Sequence, residues 1–278
     1  MEALREDKAV YIDPTLPLLS LGILCLLFAG AWAWQLRTQN AGIVDLLWGS
    51  SIGVLGLLAA LTTQGWAPRR ALVATLVGLW SIRLTWHLAK RIASESEDGR
   101  YAILRERWGS RFQPWMLFFF LLQACLAVLL SLPFWVLGQA EASGWRWCDG
   151  LALAFFVLAL VGESIADAQL RRWRADPANR GRSCDRGLWG YSRHPNYFFE
   201  WLGWWVYPLM GIGLPWGITL WAAPALMLFL VLKVTGIPPT EEQSLRSRGD
   251  DYRAYQARTP AFFPGLPRKA NPENTRTP

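Results

Sequence analysis

The 278-residue chain contains only two histidines and four cysteines. His87 and His194 are far apart in sequence and the cysteines show no CxxC spacing, so we expect no metal site and four free thiols. Charged residues are also scarce, at 18% of the chain, whereas hydrophobic residues make up 53% and tryptophan occurs 18 times. This composition argues against an ordinary soluble domain and indicates a polytopic membrane protein.

Long apolar runs dominate the chain. About 20 apolar residues are enough for a helix to cross a bilayer, and seven runs approach that length. They lie at residues 16–36, 43–63, 70–90, 115–138, 149–170, 196–213 and 215–234. The sequence therefore predicts an all-α transmembrane helical bundle forming a single domain. Gly211-Ile-Gly-Leu-Pro215 predicts a tight hairpin between the last two spans, and the composition of residues 264–278 predicts a disordered tail.

Lysine and arginine concentrate in three segments, as expected of cytoplasmic loops. Residues 90–113 contain six of them, residues 171–195 seven and residues 233–278 eight. With seven spans these segments share one side, which predicts a cytoplasmic C-terminus in a bacterial inner membrane. The net charge of +7 then requires no nucleic-acid partner, and membrane lipids are the expected neighbours. Residues 1–14 are too polar to open a cleavable signal peptide, so we expect the first span to be retained.

Polar residues interrupt the apolar pattern most clearly around Pro195. This proline suits the first turn of a helix and holds His194 extended just before it. In that helix Asn196 and Glu200 fall on one face. Polar groups are costly in lipid, so the face should meet protein or a ligand cavity. A helix cap with a buried glutamate paired to an arginine is the structural alternative.

A second set of charges closes the fifth span. Four residues share one helical face because they step by four, four and three: Glu163, Asp167, Arg171 and Arg174. The arginines lead into the basic segment 171–186, which could receive a phosphorylated ligand because guanidinium groups match phosphate oxygens in pairs. An ion pair between Asp167 and Arg171 is the structural alternative.

A third set follows the last span. Thr240 could cap a helix whose first turn contains Glu241 and Glu242, which complement the helix dipole. Tyr252 and Tyr255 lie three residues apart, so they could close over a ring system or anchor the helix at the lipid headgroups.

The early spans contain few ionisable groups. In the second span one acid and three glycines share a helical face: Asp45, Gly49, Gly53 and Gly56. The small residues would allow another helix or a flat ligand to approach closely. In the third span Arg83 and His87 are four residues apart. Asp45 could pair with Arg83 or donate a proton, and the sequence leaves both open.

Taken together, these segments resemble the steroid 5-alpha-reductase-like membrane proteins, in particular a bacterial branch described as a domain of unknown function. The motifs that carry this resemblance over most of the chain are Val44–Gly49, Asp98–Tyr101, Trp108-Gly109, Glu163 with Asp167, Ser192–Tyr197 with Glu200, and Tyr252–Tyr255. The resemblance implies a bundle whose cytoplasmic loops close over NADPH. It also implies reduction of a carbon–carbon double bond conjugated to a carbonyl in a lipid-like substrate, steroid-like or terpenoid.

The resemblance also implies roles for individual residues. The cofactor-binding set would be Glu163, Asp167, Arg171, Arg174, Arg193, His194, Asn196, Tyr197, Glu200, Glu241, Tyr252 and Tyr255. Within it, Asn196 and Glu200 would lie by the nicotinamide. The steroid reductases supply a glutamate and a tyrosine as proton donors from their early spans. This chain has no tyrosine in its third span, which leaves Asp45, Arg83 and His87 as the catalytic candidates.

Two other functions share features with the chain. Integral membrane methyltransferases that use S-adenosylmethionine also have an Arg-His-Pro-x-Tyr block and a later pair of glutamates, which Arg193–Tyr197 and Glu241-Glu242 match. The surplus of arginine in 171–186 and the presence of Asn196 favour NADPH, since S-adenosylmethionine has no phosphate. A non-catalytic lipid-binding protein with the same fold is the third possibility.

Overall fold

The structure is a computed structural model that describes residues 13–94, 97–141 and 144–268. Over these residues it is helical, without a strand, which confirms the predicted all-α class. The α-helices are α1 (Thr15–Thr38), α2 (Ile43–Thr62), α3 (Ala67–Ser94), α4 (Gly99–Trp108), α5 (Phe112–Gly138), α6 (Trp147–Ala175), α7 (Leu188–Tyr191), α8 (Pro195–Gly203), α9 (Val206–Met210), α10 (Ala222–Phe229), α11 (Ile237–Arg248) and α12 (Asp250–Arg258). The predicted tail at 264–278 lies mostly outside the described residues.

Six helical segments of the described chain are long and apolar enough to cross a membrane, which indicates an integral membrane protein. They are Thr15–Thr38, Ile43–Thr62, Ala67–Ala93, Gly99–Gly138, Trp147–Ala175 and Gly217–Arg248. Five of them match the first five predicted spans and the sixth matches the last, although residue 63 and residues 215–216 of the predicted spans lie outside the observed segments.

The structure differs from the prediction at residues 196–213, which do not form a continuous helix. Helix α8 begins at Pro195 as expected but ends at Gly203, so it rises only about 14 Å at 1.5 Å per residue. Continuing it would bring the ring of Pro208 against the carbonyl of Trp204, four residues earlier. The short helix α9 follows instead. The predicted orientation, which depended on seven crossings, stays a prediction.

The chain divides into two compact units. The first comprises the described residues up to Gly150 together with Tyr207–Ala223, and the second comprises Leu151–Val206 and the chain from Pro224 onward. In the first unit α2 packs against α3 and α5, and α1 packs against α5.

Helix α3 packs on the small-residue stripe of α2. This confirms the prediction that the stripe allows another helix to approach closely. Gly49 faces the side chain of Leu84, and its carbonyl accepts a 2.8 Å hydrogen bond from Ser81 Oγ. A Cβ atom on Gly53 would overlap the Ser81 side chain, and one on Gly56 would overlap Val77.

A buried ion pair joins the start of α3 to the start of α6 in the first unit. Arg69, which is fully buried, donates to Asp149 Oδ2 at 2.7 Å and to the carbonyl of Met210 at 3.1 Å. Two charges removed from water need such partners, because breaking a buried pair leaves an uncompensated charge.

The second unit joins α6 to the C-terminal helices. The Trp201 indole of α8 donates to the carbonyl of Pro224 at 2.9 Å. After α10 the helix widens into a π turn at Leu230–Val234, and both Thr235 N and Gly236 N donate to the carbonyl of Leu230. This wide turn ends the helix just before the Pro-Pro sequence that opens α11.

The contact between α2 and α3 can be tested by glycine substitution. We expect Gly53→Ala to lower the thermal unfolding midpoint of the detergent-purified protein, because the added methyl displaces Ser81 at a cost of about 1–3 kcal/mol. Gly78→Ala is the matched control, since a Cβ at Gly78 of α3 meets nothing within 4 Å. Equal midpoints for the two variants would contradict the close packing of α2 on α3.

Candidate cofactor site

Helix α6 presents the predicted acids and bases of the second unit in separate zones. Glu163 and Asp167 are buried, each at 7% exposure. Arg171 and Arg174, one and two turns later, are exposed near the helix end at Ala175. The helix therefore offers carboxylates inside the unit and guanidinium groups at its surface, in the order that the spacing predicted.

Helix α8 brings Asn196 to this carboxylate face. Asn196 Nδ2 donates to Asp167 Oδ1 at 3.4 Å. The approach of the two helices depends on Gly162, because a Cβ there would overlap the ring of Phe199. Glu200, one turn after Asn196, accepts a 3.0 Å bond from the Trp204 indole. Residues from two predicted motifs thus meet in the folded second unit.

Arg193 is engaged by the protein itself. Its Nη2 lies 2.5 Å from Glu241 Oε1 and its Nε donates to the same oxygen at 2.7 Å. Its Nη1 donates to the carbonyls of Gln256 at 3.2 Å and Thr259 at 2.5 Å. The Arg193 side chain is only 10% exposed, so the guanidinium group serves to join three parts of the second unit.

The segment Thr259–Phe262, which we call the C-terminal strap, is held by the residues just before α8. Its four consecutive carbonyls accept hydrogen bonds from three consecutive residues of that motif. Arg193 Nη1 bonds Thr259 O and Arg193 N bonds Pro260 O, His194 Nδ1 bonds Ala261 O at 2.9 Å, and Ser192 Oγ bonds Phe262 O at 2.8 Å. The rings of Phe198 and Trp201 pack against Phe262.

His194 is a neutral structural donor at physiological pH. Burial lowers the pKa of its imidazole to about 4, against the weaker opposing effects of the Ala261 carbonyl and the Glu241 carboxylate. The ring stacks on Tyr197 at 5.5 Å, and the Tyr197 hydroxyl is hydrogen-bonded to Thr240 Oγ1 at 3.1 Å.

The two tyrosines of α12 face inward. Tyr255 Oη donates to the carbonyl of Trp189 at 2.6 Å, and Tyr252 Oη lies 3.5 Å from Glu241 Oε1. Both residues are nearly fully buried, and burial raises the pKa of Tyr252 to about 12 and that of Tyr255 further. The two hydroxyl groups therefore contact the protein around the motif before α8. The sequence instead predicted contact with a ring system or with lipid headgroups.

In the first unit, the candidate acid Asp45 has partners that the sequence did not suggest. Arg100 Nη2 and Tyr101 Oη each lie 2.9 Å from a carboxylate oxygen of Asp45, and Arg91 Nη2 lies 3.7 Å away. Asp98 shares Arg91 and Arg100. Burial alone would raise the pKa of Asp98, but these guanidinium groups lower it below its ordinary value.

Arg83 and His87 lie on α3, one turn apart as predicted, and both make contacts within the structure. Their catalytic role stays a prediction. The sequence analysis did not predict Tyr101 as a partner of Asp45. Tyr101 lies on α4, 56 residues after Asp45, so no helical spacing connects the two. The Asp98–Tyr101 motif was visible, but its contact with Asp45 was not.

One known protein family matches most of the chain. The family model described as "Protein of unknown function (DUF1295)" matches residues 31–259. The chain belongs to this family. The match extends from α1 to the first residue of the C-terminal strap, so it includes both units and every predicted site residue of this DUF1295 protein.

A relative from Schizosaccharomyces pombe is named "Uncharacterized protein C594.04c". It is 28% identical over 269 aligned positions, which cover 84% of this chain and 76% of the relative. No solved structure matches the chain.

The role of Glu241 can be separated from that of a surface acid by comparison with its neighbour. We expect Glu241→Gln to cost about 3–5 kcal/mol and to lower the thermal unfolding midpoint strongly, because it leaves the Arg193 charge buried without its counter-ion. Glu242→Gln is the control, since Glu242 pairs with the half-exposed Arg246 and such pairs contribute about 0–1 kcal/mol. Similar losses in both variants would mean that the Arg193–Glu241 pair is not structural.

His194 should make stability depend on pH in one direction. Its pKa is 6.5 when unfolded and about 4 when folded, so the unfolded chain takes up the proton first. Stability is therefore full above pH 6.5 and declines as the pH falls towards 4, by about 3 kcal/mol over the whole window. Thermal unfolding at pH 7.5 and 5.0 measures this decline.

The matched variant is His194→Asn, whose amide N–H lies at the position of the imidazole Nδ1 that bonds the Ala261 carbonyl and does not titrate. We expect acidification to lower the midpoint of the variant less than that of the wild type. An identical decline in both proteins would show that His194 is not the group responsible.

Proposed function

We propose that this DUF1295 protein is an NADPH-dependent membrane oxidoreductase that reduces a carbon–carbon double bond conjugated to a carbonyl in a lipid-like substrate. The observation that carries the proposal is the meeting of α6 and α8, where Asn196 contacts Asp167 beside the buried Glu163 and exposed arginines follow on α6. The resemblance to the steroid 5-alpha-reductase-like proteins supports the same assignment.

The residue types fit the chemical groups of NADPH. Carboxylate and amide side chains at Glu163, Asp167 and Asn196 can hydrogen-bond a carboxamide and ribose hydroxyls. The guanidinium groups of Arg171 and Arg174 can neutralise phosphates. When bound, the cofactor supplies a hydride to the electron-poor carbon of the double bond. The protein's own contribution is to orient the groups that bind and to exclude water around the buried acids.

Arg193, His194, Tyr252 and Tyr255 take a supporting role in this proposal. Their polar atoms are used within the second unit, so they fix the start of α8 and thereby the position of Asn196. Positioning of this kind matters for catalysis, since small misplacements of binding groups cost rate.

The reduction also needs a proton for the substrate oxygen as negative charge develops there. The catalytic candidates of the sequence analysis, Asp45, Arg83 and His87, stay predictions for this donor.

The cofactor is tested first, by thermal-shift titration of the purified protein with NADPH, NADH and S-adenosylmethionine. NADPH should raise the unfolding midpoint, because a ligand that binds only the folded state stabilises it by mass action. Arg174→Ala should weaken NADPH binding by about tenfold and NADH binding less, since only NADPH carries the 2′-phosphate.

Arg253→Ala is the control for charge alone, because Arg253 is 69% exposed on α12 and pairs only locally with Asp250. Stabilisation by S-adenosylmethionine and not by NADPH would replace the proposal with the methyltransferase alternative. Equal losses for NADPH and NADH in Arg174→Ala would show that Arg174 does not bind the 2′-phosphate.

A further inference from the structure

The residues around Ser183 meet the ends of two helices in the second unit. Trp173 Nε1 donates to the carbonyl of Arg182 at 3.4 Å, and Ser183 N donates to Asp251 Oδ2 at 2.6 Å. Arg174 follows Trp173 in the last turn of α6, and Arg248, in the last turn of α11, lies over the ring of Tyr252, the residue after Asp251. Like charges brought to one place on folding cost free energy, so a compensating anion is the simplest reason for the arrangement.

Hydrogen-bond donors are also left over at this place. Ser183 is 7% exposed, and its hydroxyl is buried without a hydrogen-bond partner among the described residues. The same holds for Nε of Arg248. A buried donor without a partner destabilises the folded state, and a ligand that accepts from it would remove that cost.

The Arg248 side chain is held in place by its other contacts. One Nη atom donates to Ser244 Oγ, and the guanidinium group lies over the Tyr252 ring, 5.1 Å from its centroid. One edge of a fixed guanidinium group, the edge with Nε, therefore stays available for an acceptor.

The surrounding charges leave a positive excess. Asp251 is the neighbouring acid, and its Oδ2 already accepts from Ser183 N at 2.6 Å. Two further arginines are matched by acids, through the Arg193–Glu241 and Arg258–Asp185 pairs. Arg186 lies over the ring of Trp173, 5.5 Å from its centroid. In the segments that meet at Ser183, Arg174, Arg186 and Arg248 then exceed Asp251 by two charges.

We propose that Arg174, Ser183 and Arg248 form a binding site for a phosphate group. Guanidinium groups donate in pairs to phosphate oxygens, and a serine hydroxyl adds one more donor. The phosphate could belong to a dinucleotide or to an anionic lipid headgroup, which present the same chemistry. Its assignment to NADPH rests on the proposed function, whereas the site itself rests on the geometry.

The test uses the full-length protein in detergent, titrated with inorganic pyrophosphate and with adenosine 2′,5′-bisphosphate while the unfolding midpoint is followed. Arg248→Gln and Ser183→Ala should each weaken the binding of these probes by about tenfold. Arg253→Gln, an exposed arginine on the next helix, should bind them like the wild type. Ser183→Ala removes an unpartnered donor, so its midpoint without ligand should not fall, which separates binding from folding.

Lipid is tested in a second arm, with protein in nanodiscs of phosphatidylcholine with and without phosphatidylglycerol. If the site takes a headgroup, wild-type protein should retain phosphatidylglycerol on extraction into detergent, and Arg248→Gln should retain several-fold less by mass spectrometry. Unchanged probe affinities together with unchanged lipid retention in both variants would overturn the site.

The site and the proposed function can fail separately. Binding of pyrophosphate that weakens in both variants, without any binding of NADPH to the wild type, would keep the site and reject the reductase. NADPH binding that is the same in wild type, Arg248→Gln and Ser183→Ala, with no binding of pyrophosphate, would keep the reductase and reject the site.

Discussion

The arrangement of the second unit depends on the buried guanidinium group of Arg193. A charge removed from water is tolerated only when its donors are satisfied, and here one carboxylate and two main-chain carbonyls satisfy them. These acceptors come from α11, α12 and the C-terminal strap. One side chain thereby fixes the loop before α8 against elements that follow it by about 50 to 70 residues. The start of α8, and with it Asn196, is placed by this one set of contacts.

This dependence changes how the most recognisable motif is interpreted. Ser192, Arg193 and His194 bind carbonyls of the strap, and a carbonyl is present whatever side chain a strap residue has. These contacts therefore require particular side chains at Ser192, Arg193 and His194 but not at the strap residues. The groups that we propose for a ligand are neighbours of the motif, namely Asn196 on α8 and the acids and arginines of α6. A recognisable motif can thus hold the fold of the second unit together without touching what the protein binds.

The features that the sequence predicted correctly are those that depend on the spacing of nearby residues along a helix. The glycine stripe of α2, the charged face of α6 and the helix start at Pro195 each follow from residues within a few turns of one another. The contacts of Tyr101 with Asp45 and of Arg193 with Thr259 join residues 56 and 66 positions apart, and no helical spacing indicates them. The break after Gly203 was missed for another reason. The prediction used hydropathy alone, which continues through Trp204 and Trp205, whereas Pro208 disfavours a continuous helix there by its clash with the Trp204 carbonyl.

The helix dipoles at the proposed phosphate site repel an anion, so their charge must be compared with that of the arginines. Arg174 and Arg248 both lie in the last turn of a helix, where each helix end carries roughly half a negative charge. Two such ends offset about one of the two excess positive charges around Ser183, so roughly one remains. Because Arg174 is exposed whereas Arg248 is half-buried, added salt should screen the contribution of Arg174 more than that of Arg248. Binding that persists at high salt would then depend mainly on Arg248.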